Sequence, residues 1–307
     1  MTLPTEDGRL FVTDGGMETT LIFRDGIELP EFASFVLLDD EAGREALLGY
    51  YQSYARLASE LGAGIVLDTP TWRASADWGE RLGYDRAGLV DVNRRAVALL
   101  RGLRDRRGGD PPILISGCIG PRGDGYAVGE TMDAAGAERY HSPQVAVLAG
   151  EGVDLVSALT LTYTEEAVGI VRAAGRHEAP VVISFTVETD GRLPSGQALG
   201  EAIEQVDDET GGAAAYFMIN CAHPTHFAHV LDPGAPWLER LVGLRANAST
   251  RSHAELDASD ELDAGDPDDL GERYRSLAGV LPRLAVVGGC CGTDERHVAA
   301  VARAVTR

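Results

Sequence analysis

Eight short apolar runs constrain this chain more than any other feature. They cover residues 10–13, 65–69, 113–117, 153–157, 181–185, 214–219, 241–245 and 284–287, and each stops at a polar residue, a proline or a glycine. Runs this short and this apolar are strands buried on both faces. Between them lie stretches with helical spacing, at 41–61, 86–103, 140–149, 165–174, 198–206, from about 225, and at 267–277 and 294–304. Strand and helix in eightfold alternation predict a (β/α)₈ barrel, an α/β fold of a single domain spanning 1–307. A doubly wound open sheet is the competitor, but the first strand exits through Asp14-Gly15-Gly16 without the G-x-G-x-x-G turn of a dinucleotide fold. The acidic, polar segment 254–269 reads as an exposed loop within that domain.

In such a barrel the functional groups gather where strands end. Asp14, Thr69, Cys118, Asn220, Cys221, Cys290 and Cys291 all fall at or just past the ends of the apolar runs. Cys290 and Cys291 are adjacent and framed by Gly288, Gly289 and Gly292. Neighbours in sequence sit poorly for a disulfide with each other. As buried filler they would need no glycine frame. Two soft ligands side by side suit zinc, and Cys221 offers a third sulfur from the sixth strand. Three thiolates with one open position make a catalytic site, whereas His223 or His226 as a fourth ligand would close it into a structural one. His297, on the last helix, is expected to face solvent.

The chain has 307 residues, a formal net charge of −21 and four cysteines. So acidic a surface argues against nucleic acid or an anionic membrane as partner and leaves small molecules. No apolar stretch approaches the roughly 20 residues of a membrane span. Met1 to Arg9 lacks the pattern of a secretory signal. Few cysteines in a long chain point to a reducing cytoplasm, where thiolates stay free to hold metal. Oligomeric state is not legible.

An open position in a thiolate-rich zinc site suits another thiol, which zinc makes nucleophilic near neutral pH. Water activation for hydrolysis is commoner at histidine-rich sites. A zinc hydrolase on the same barrel would need a base beside the metal, with Asp14, His223 or His226 as candidates.

The segments Asp14-Gly15-Gly16-Met17, Ile119-Gly120-Pro121, Gly152-Val153-Asp154-Leu155, Asn220-Cys221 and Gly288-Gly289-Cys290-Cys291-Gly292-Thr293 together resemble the homocysteine S-methyltransferase family, in its order and over nearly the whole chain. The resemblance implies zinc on Cys221, Cys290 and Cys291. It implies methyl transfer to the homocysteine thiol, giving methionine, from a sulfonium or ammonium donor such as S-methylmethionine, S-adenosylmethionine or betaine. Asp14 and Asn220 become the expected catalytic residues, and Asp14, Thr69, Trp72, Arg73 and Thr160 the expected substrate contacts. Two departures stand out. The family's Glu-Thr pair on the fourth strand is Leu159-Thr160 here, so the glutamate that takes the acceptor's ammonium is missing, with Glu165 or Glu166 as possible substitutes and a different thiol or selenol acceptor as an alternative. The family's Gly-Thr-Glu-Leu after the first strand is Glu18-Thr19-Thr20-Leu21. Arg73 is expected either to grip a carboxylate or to form a surface salt bridge. Trp72 and Trp78 are candidates for holding a cationic donor by cation–π contact, with packing as the plainer role.

Overall fold

The computed structural model describes residues 2–109, 111–259 and 261–306. Strands β1 (Phe11–Val12), β2 (Gly64–Asp68), β3 (Ile113–Ile119), β4 (Leu155–Leu161), β5 (Val181–Phe185), β6 (Tyr216–Asn220), β7 (Leu241–Ala246) and β8 (Val286–Gly289) pair in sequence order, and β8 returns to β1. Every pairing is parallel. The expected barrel is therefore present, closed and without a sheet edge.

The period-two alternation of the strands explains how the barrel carries a site. Phe11, Val66, Leu114, Leu155, Val182, Tyr216, Met218, Val242 and Val286 form one interior cluster, while Val12, Ile65, Leu67, Ile115, Val156 and Ile183 belong to the larger core packed under the helices. Two residues further along on the interior side, four of the strands turn polar. Val66 is followed by Asp68, Leu114 by Ser116 and Cys118, Val182 by Ser184, and Met218 by Asn220. Ser116 and Ser157 hydroxyls meet at 2.7 Å, and the Ser184 hydroxyl donates to Asn220 Oδ1 at 2.6 Å. The barrel is thus apolar at its floor and hydrogen-bonded above it.

The long helices follow their capping chemistry. Asp40 accepts from Gly43 N at the start of Glu41–Leu61, and Gly62 ends that helix at φ 65°. Asp85 caps Arg86–Arg107 in the same way. The helix expected at 140–149 spans Ala134–Gly150, opening after the Asp133 cap. Its first turns, Ala-Ala-Gly-Ala, have no apolar periodicity to reveal them. The segment 254–269, expected as an exposed loop, is helical at both ends: His253–Asp257 opens on a capping box between Ser252 and Glu255, and Pro267 starts the next helix. Among the described residues, no helix is long and apolar enough to cross a membrane.

His297 does not face solvent as expected. It is buried, with Nδ1 3.0 Å from Asp294 Oδ1 and Nε2 2.7 Å from the Ala264 carbonyl oxygen. It completes the cap of Glu295–Val305, which is a helix-end role rather than a surface one.

Candidate metal centre and its cavities

β6 and β8 deliver three sulfurs to one point. The Sγ atoms of Cys221, Cys290 and Cys291 lie within 4.8 Å of one another, and among the described residues they are the one group of three or more histidine, cysteine or acidic side chains so placed. Cys221 follows the last residue of β6 in the left-handed region, φ 55°, which turns its side chain back over the barrel mouth. Cys290 N donates to Ala246 O at 2.8 Å, anchoring the end of β8 on β7. Gly289 has to be glycine, since a Cβ there would lie 2.0 Å from Thr293 Oγ1. Thr293 Oγ1 in turn donates to the Cys290 carbonyl at 2.7 Å and pins the cysteine turn.

The Cys221 and Cys290 sulfurs are in direct contact, Cα–Cα 5.4 Å, with Cys291 beside them. The form able to hold metal is the reduced one. A tetrahedral zinc with Zn–S bonds near 2.3 Å sets sulfurs roughly 3.8 Å apart, which the 4.8 Å grouping accommodates once the pair is open. The donor set, three cysteine sulfurs with no histidine, is that of a soft-metal site. His223 and His226 are both turned to other partners. His223 Nδ1 meets Thr225 Oγ1 at 2.8 Å, and His226 Nε2 meets the Thr250 carbonyl oxygen at 2.9 Å. Burial, with the Arg273 charge next, holds His223 down to about 4. Cys118 is buried on β3, outside the cluster.

Two side chains that sequence reasoning missed support the sulfurs. The Tyr126 hydroxyl lies 3.4 Å from Cys291 Sγ, and its ring stacks on His253 at 4.3 Å. His253 Nε2 donates to the Cys221 carbonyl at 2.6 Å, and its Nδ1 lies 3.2 Å from Glu188 Oε1. The helix within the acidic segment is thereby tied to a candidate ligand.

An inner cavity of about 80 Å³ abuts the sulfurs, and Asp14, Glu18, Asp68, Leu159, Thr160 and Arg245 are among its lining. Arg245 is buried and bridges Asp14 and Asp68 through its two terminal nitrogens. Asp14 also takes the Tyr50 hydroxyl at 3.2 Å, and burial, partly offset by Arg245, pushes it up to about 7. Asn220 touches none of the sulfurs with its amide. Its Oδ1 accepts from Thr160 N and its Nδ2 donates to Thr160 Oγ1, both at 2.8 Å. Thr160 sits at φ 64° beside an irregularity in the β4–β5 register, with its hydroxyl 4.0 Å from Cys221 Sγ. Thr69 lines the cavity, and its hydroxyl is shared with Thr71 at 2.6 Å and accepts from Cys118 N at 2.9 Å.

An outer cavity of about 310 Å³ opens above the first, with Thr19, Phe32, Trp72, Tyr126 and Cys291 common to both. Asp124, Asp257, Glu261 and Asp263 line it against one cation, Arg73. Arg73 is no surface salt bridge. It is 8% exposed, has no ion pair among the described residues, and donates from Nη1 to Gly123 O at 3.3 Å while Nε has no partner. Its guanidinium covers the Trp72 and Trp78 rings at 4.3 and 3.5 Å. The Trp78 face is therefore filled by the protein's own cation. Glu166, one possible substitute for the missing β4 glutamate, is buried against His141 Nε2 at 2.9 Å and Arg122 N at 2.8 Å; Glu165 is exposed, and neither lines either cavity.

Residues 11–305 match the family described as "Homocysteine S-methyltransferase". The methionine synthase of Mycobacterium tuberculosis is 29% identical over 97% of this chain, which spans about 25% of that protein's length. Homocysteine S-methyltransferase 4 of Zea mays is 24% identical, over 80% of this chain and 76% of the maize protein. Among solved structures, the homocysteine methyltransferase MmuM of Escherichia coli in its metallated form superposes with a TM-score of 0.71, at 20% identity, over 97% of this chain and 96% of its own. The oxidized form of that protein gives 0.73 over 95% and 94%.

Proposed function

Since the chain belongs to the homocysteine S-methyltransferase family, we propose that it is a zinc-dependent S-methyltransferase carrying a methyl group from a sulfonium or ammonium donor to the thiol of homocysteine, giving methionine. The observation that carries this reading is the meeting of Cys221, Cys290 and Cys291 beside the inner cavity. In the reduced protein these three would hold zinc, the metal that fits an all-sulfur donor set, and a related fold in E. coli has been solved as "Metallated form". Bound zinc supplies the positive charge that lets an acceptor thiol lose its proton near neutral pH.

The chain's own residues do the rest. Asn220 fixes Thr160, and Thr160 fixes one side of Cys221, so Asn220 is a positioning residue. Tyr126 and His253 hold the other side of the sulfur cluster. Asp14, locked to Arg245 and Tyr50, makes part of the inner cavity polar, while the Phe32 and Trp72 rings line both cavities. The outer cavity, acidic and aromatic, suits a donor with positive charge, and the unpaired Arg73 suits that donor's carboxylate. S-methylmethionine and betaine carry both groups in a small body, as does S-adenosylmethionine in a larger one. A reducing compartment such as the cytoplasm is where the thiolate form persists.

The test is an acceptor-by-donor matrix on zinc-loaded, reduced protein. Methionine formed from homocysteine is the expected product. Water-dependent release of donor fragments without a methylated thiol would support a hydrolase instead, and methylation only of other thiols or selenols would move the acceptor away from homocysteine.

A further inference from the structure

The inner cavity holds an unbalanced charge. Asp14, Glu18 and Asp68 face a single cation, Arg245. That cation is fully engaged: its terminal nitrogens bind Asp14 and Asp68, and its Nε donates to the Gly289 carbonyl at 3.3 Å. Glu18 takes the Ser34 hydroxyl at 2.8 Å and has no ion pair among the described residues. Asp68 is 6% exposed, and its Oδ1 is buried without any hydrogen-bond partner. A buried carboxylate oxygen without a partner is costly unless a cation meets it. The β4 wall presents the apolar Leu159 and offers no carboxylate.

We infer that Glu18, together with the free Oδ1 of Asp68, holds the ammonium group of an aminothiol acceptor whose sulfur lies at the cysteine cluster. This assignment rests on the thiol-methylating reading above and names the residues that select its substrate class. An ammonium carries three donors and no acceptor, which suits carboxylates that line the cavity without a cation of their own. Both carboxylates and the sulfurs line the same cavity, so an acceptor can reach them together. The glutamate enters from the loop after β1, where the family pattern has glycine, and the fourth strand, where the pattern has glutamate, has leucine.

The experiment compares L-homocysteine with 4-mercaptobutyrate, which is the same thiol without the amino group, in wild type and Glu18→Gln. The glutamine keeps the shape and an acceptor for Ser34 but removes the charge. For homocysteine, Glu18→Gln is expected to raise KM by about 10- to 100-fold, the scale of a lost charge-assisted hydrogen bond. For 4-mercaptobutyrate KM stays within about twofold. A second readout needs no turnover: calorimetric binding of L-methionine and of 4-(methylthio)butyrate to the same proteins, with the same selective loss for the amino compound. Equal loss for both compounds, or no loss for either, overturns the assignment while leaving methyl transfer intact in wild type. Glu18-dependent selection of L-methionine in a protein that methylates no thiol would sustain the assignment and overturn the proposed reaction. Zinc content and melting temperature equal to wild type confirm that Glu18→Gln is folded.

Discussion

The Asn220 amide closes on Thr160 from two sides, accepting from its backbone N and donating to its Oγ1, each at 2.8 Å. A β-branched residue at φ 64° is an unfavourable conformation that the surroundings must hold in place, at a cost of about 1–3 kcal/mol. Replacing Asn220 by Ala frees Thr160 and leaves its buried N–H and the Ser184 hydroxyl without their acceptor. The expected loss is about 2–4 kcal/mol of unfolding free energy. A drop in kcat with zinc content maintained would mark Asn220 as a positioning residue rather than part of the metal site. Urea denaturation and metal analysis on the same preparation decide it.

Arg245 is the sole cation lining the inner cavity, bridging Asp14 and Asp68. Arg245→Met should cost about 3–5 kcal/mol at neutral pH, because two buried carboxylates lose their counter-charge. Combining it with Asp14→Asn and Asp68→Asn should recover much of that loss. The sign of the pH dependence is fixed as well. Asp14 is already raised to about 7 by burial with Arg245 present, and removing the arginine raises it further. The folded variant then binds more protons than the unfolded chain above the ordinary carboxylate range, so its deficit should shrink as pH falls from 7 toward 5. Chemical denaturation at several pH values gives the measurement; a deficit that grows on acidification would contradict the ion-triad account.

Cys221 and Cys290 can pair with each other or share a metal, but not both at once. Oxidation should therefore release zinc and abolish methyl transfer together, and reductant with zinc should restore both. Cys221→Ala should lose tight zinc, whereas Cys118→Ala, outside the cluster, should keep it. Zinc stoichiometry by metal analysis, set beside free-thiol counts, reads this directly. Full zinc in Cys221→Ala would remove that sulfur from the ligand set.

His223 supplies a second pH signature. Burial and Arg273 hold it down to about 4 from an ordinary 6.5. Between those values the unfolded chain takes up a proton that the folded one refuses, so stability falls as pH drops from about 6.5 toward 4. In His223→Gln the corresponding acid-side slope should be shallower. Equal slopes in both proteins would mean that the imidazole titrates normally in the fold.

Much of the barrel was readable because parallel strands buried on both faces announce themselves as apolar runs: 181–185 coincides with β5, and 241–245 falls one residue short of β7. The apolar run 153–157 starts two residues before β4 and stops short of its end, since Val153 and Asp154 precede the strand, which runs on through Thr160 to Leu161. Asp154 instead accepts from Ile115 N at 2.8 Å and pairs with Arg104 at 2.7 Å, a tertiary role that no local pattern encodes. The three sulfurs were legible because the Gly-Gly-Cys-Cys-Gly frame is unusual. Their supports were harder to see. Tyr126 comes from a loop and His253 from the first turn of a short helix, and only barrel closure brings the two together. Arg245 did leave a signal: a charged residue ending the apolar run Leu241-Val242-Gly243-Leu244 has to meet an opposite charge inside. Glu18 was visible as a departure from the family pattern, yet only the cavity shows it without a cation.

The two cavities have a shared wall, with Cys291 and Tyr126 on it. A methyl group leaving one chamber can reach the other without ever being lodged on a protein atom. On the proposed reaction the transfer would be a direct handover between two guests present together, with no methylated form of the enzyme between them.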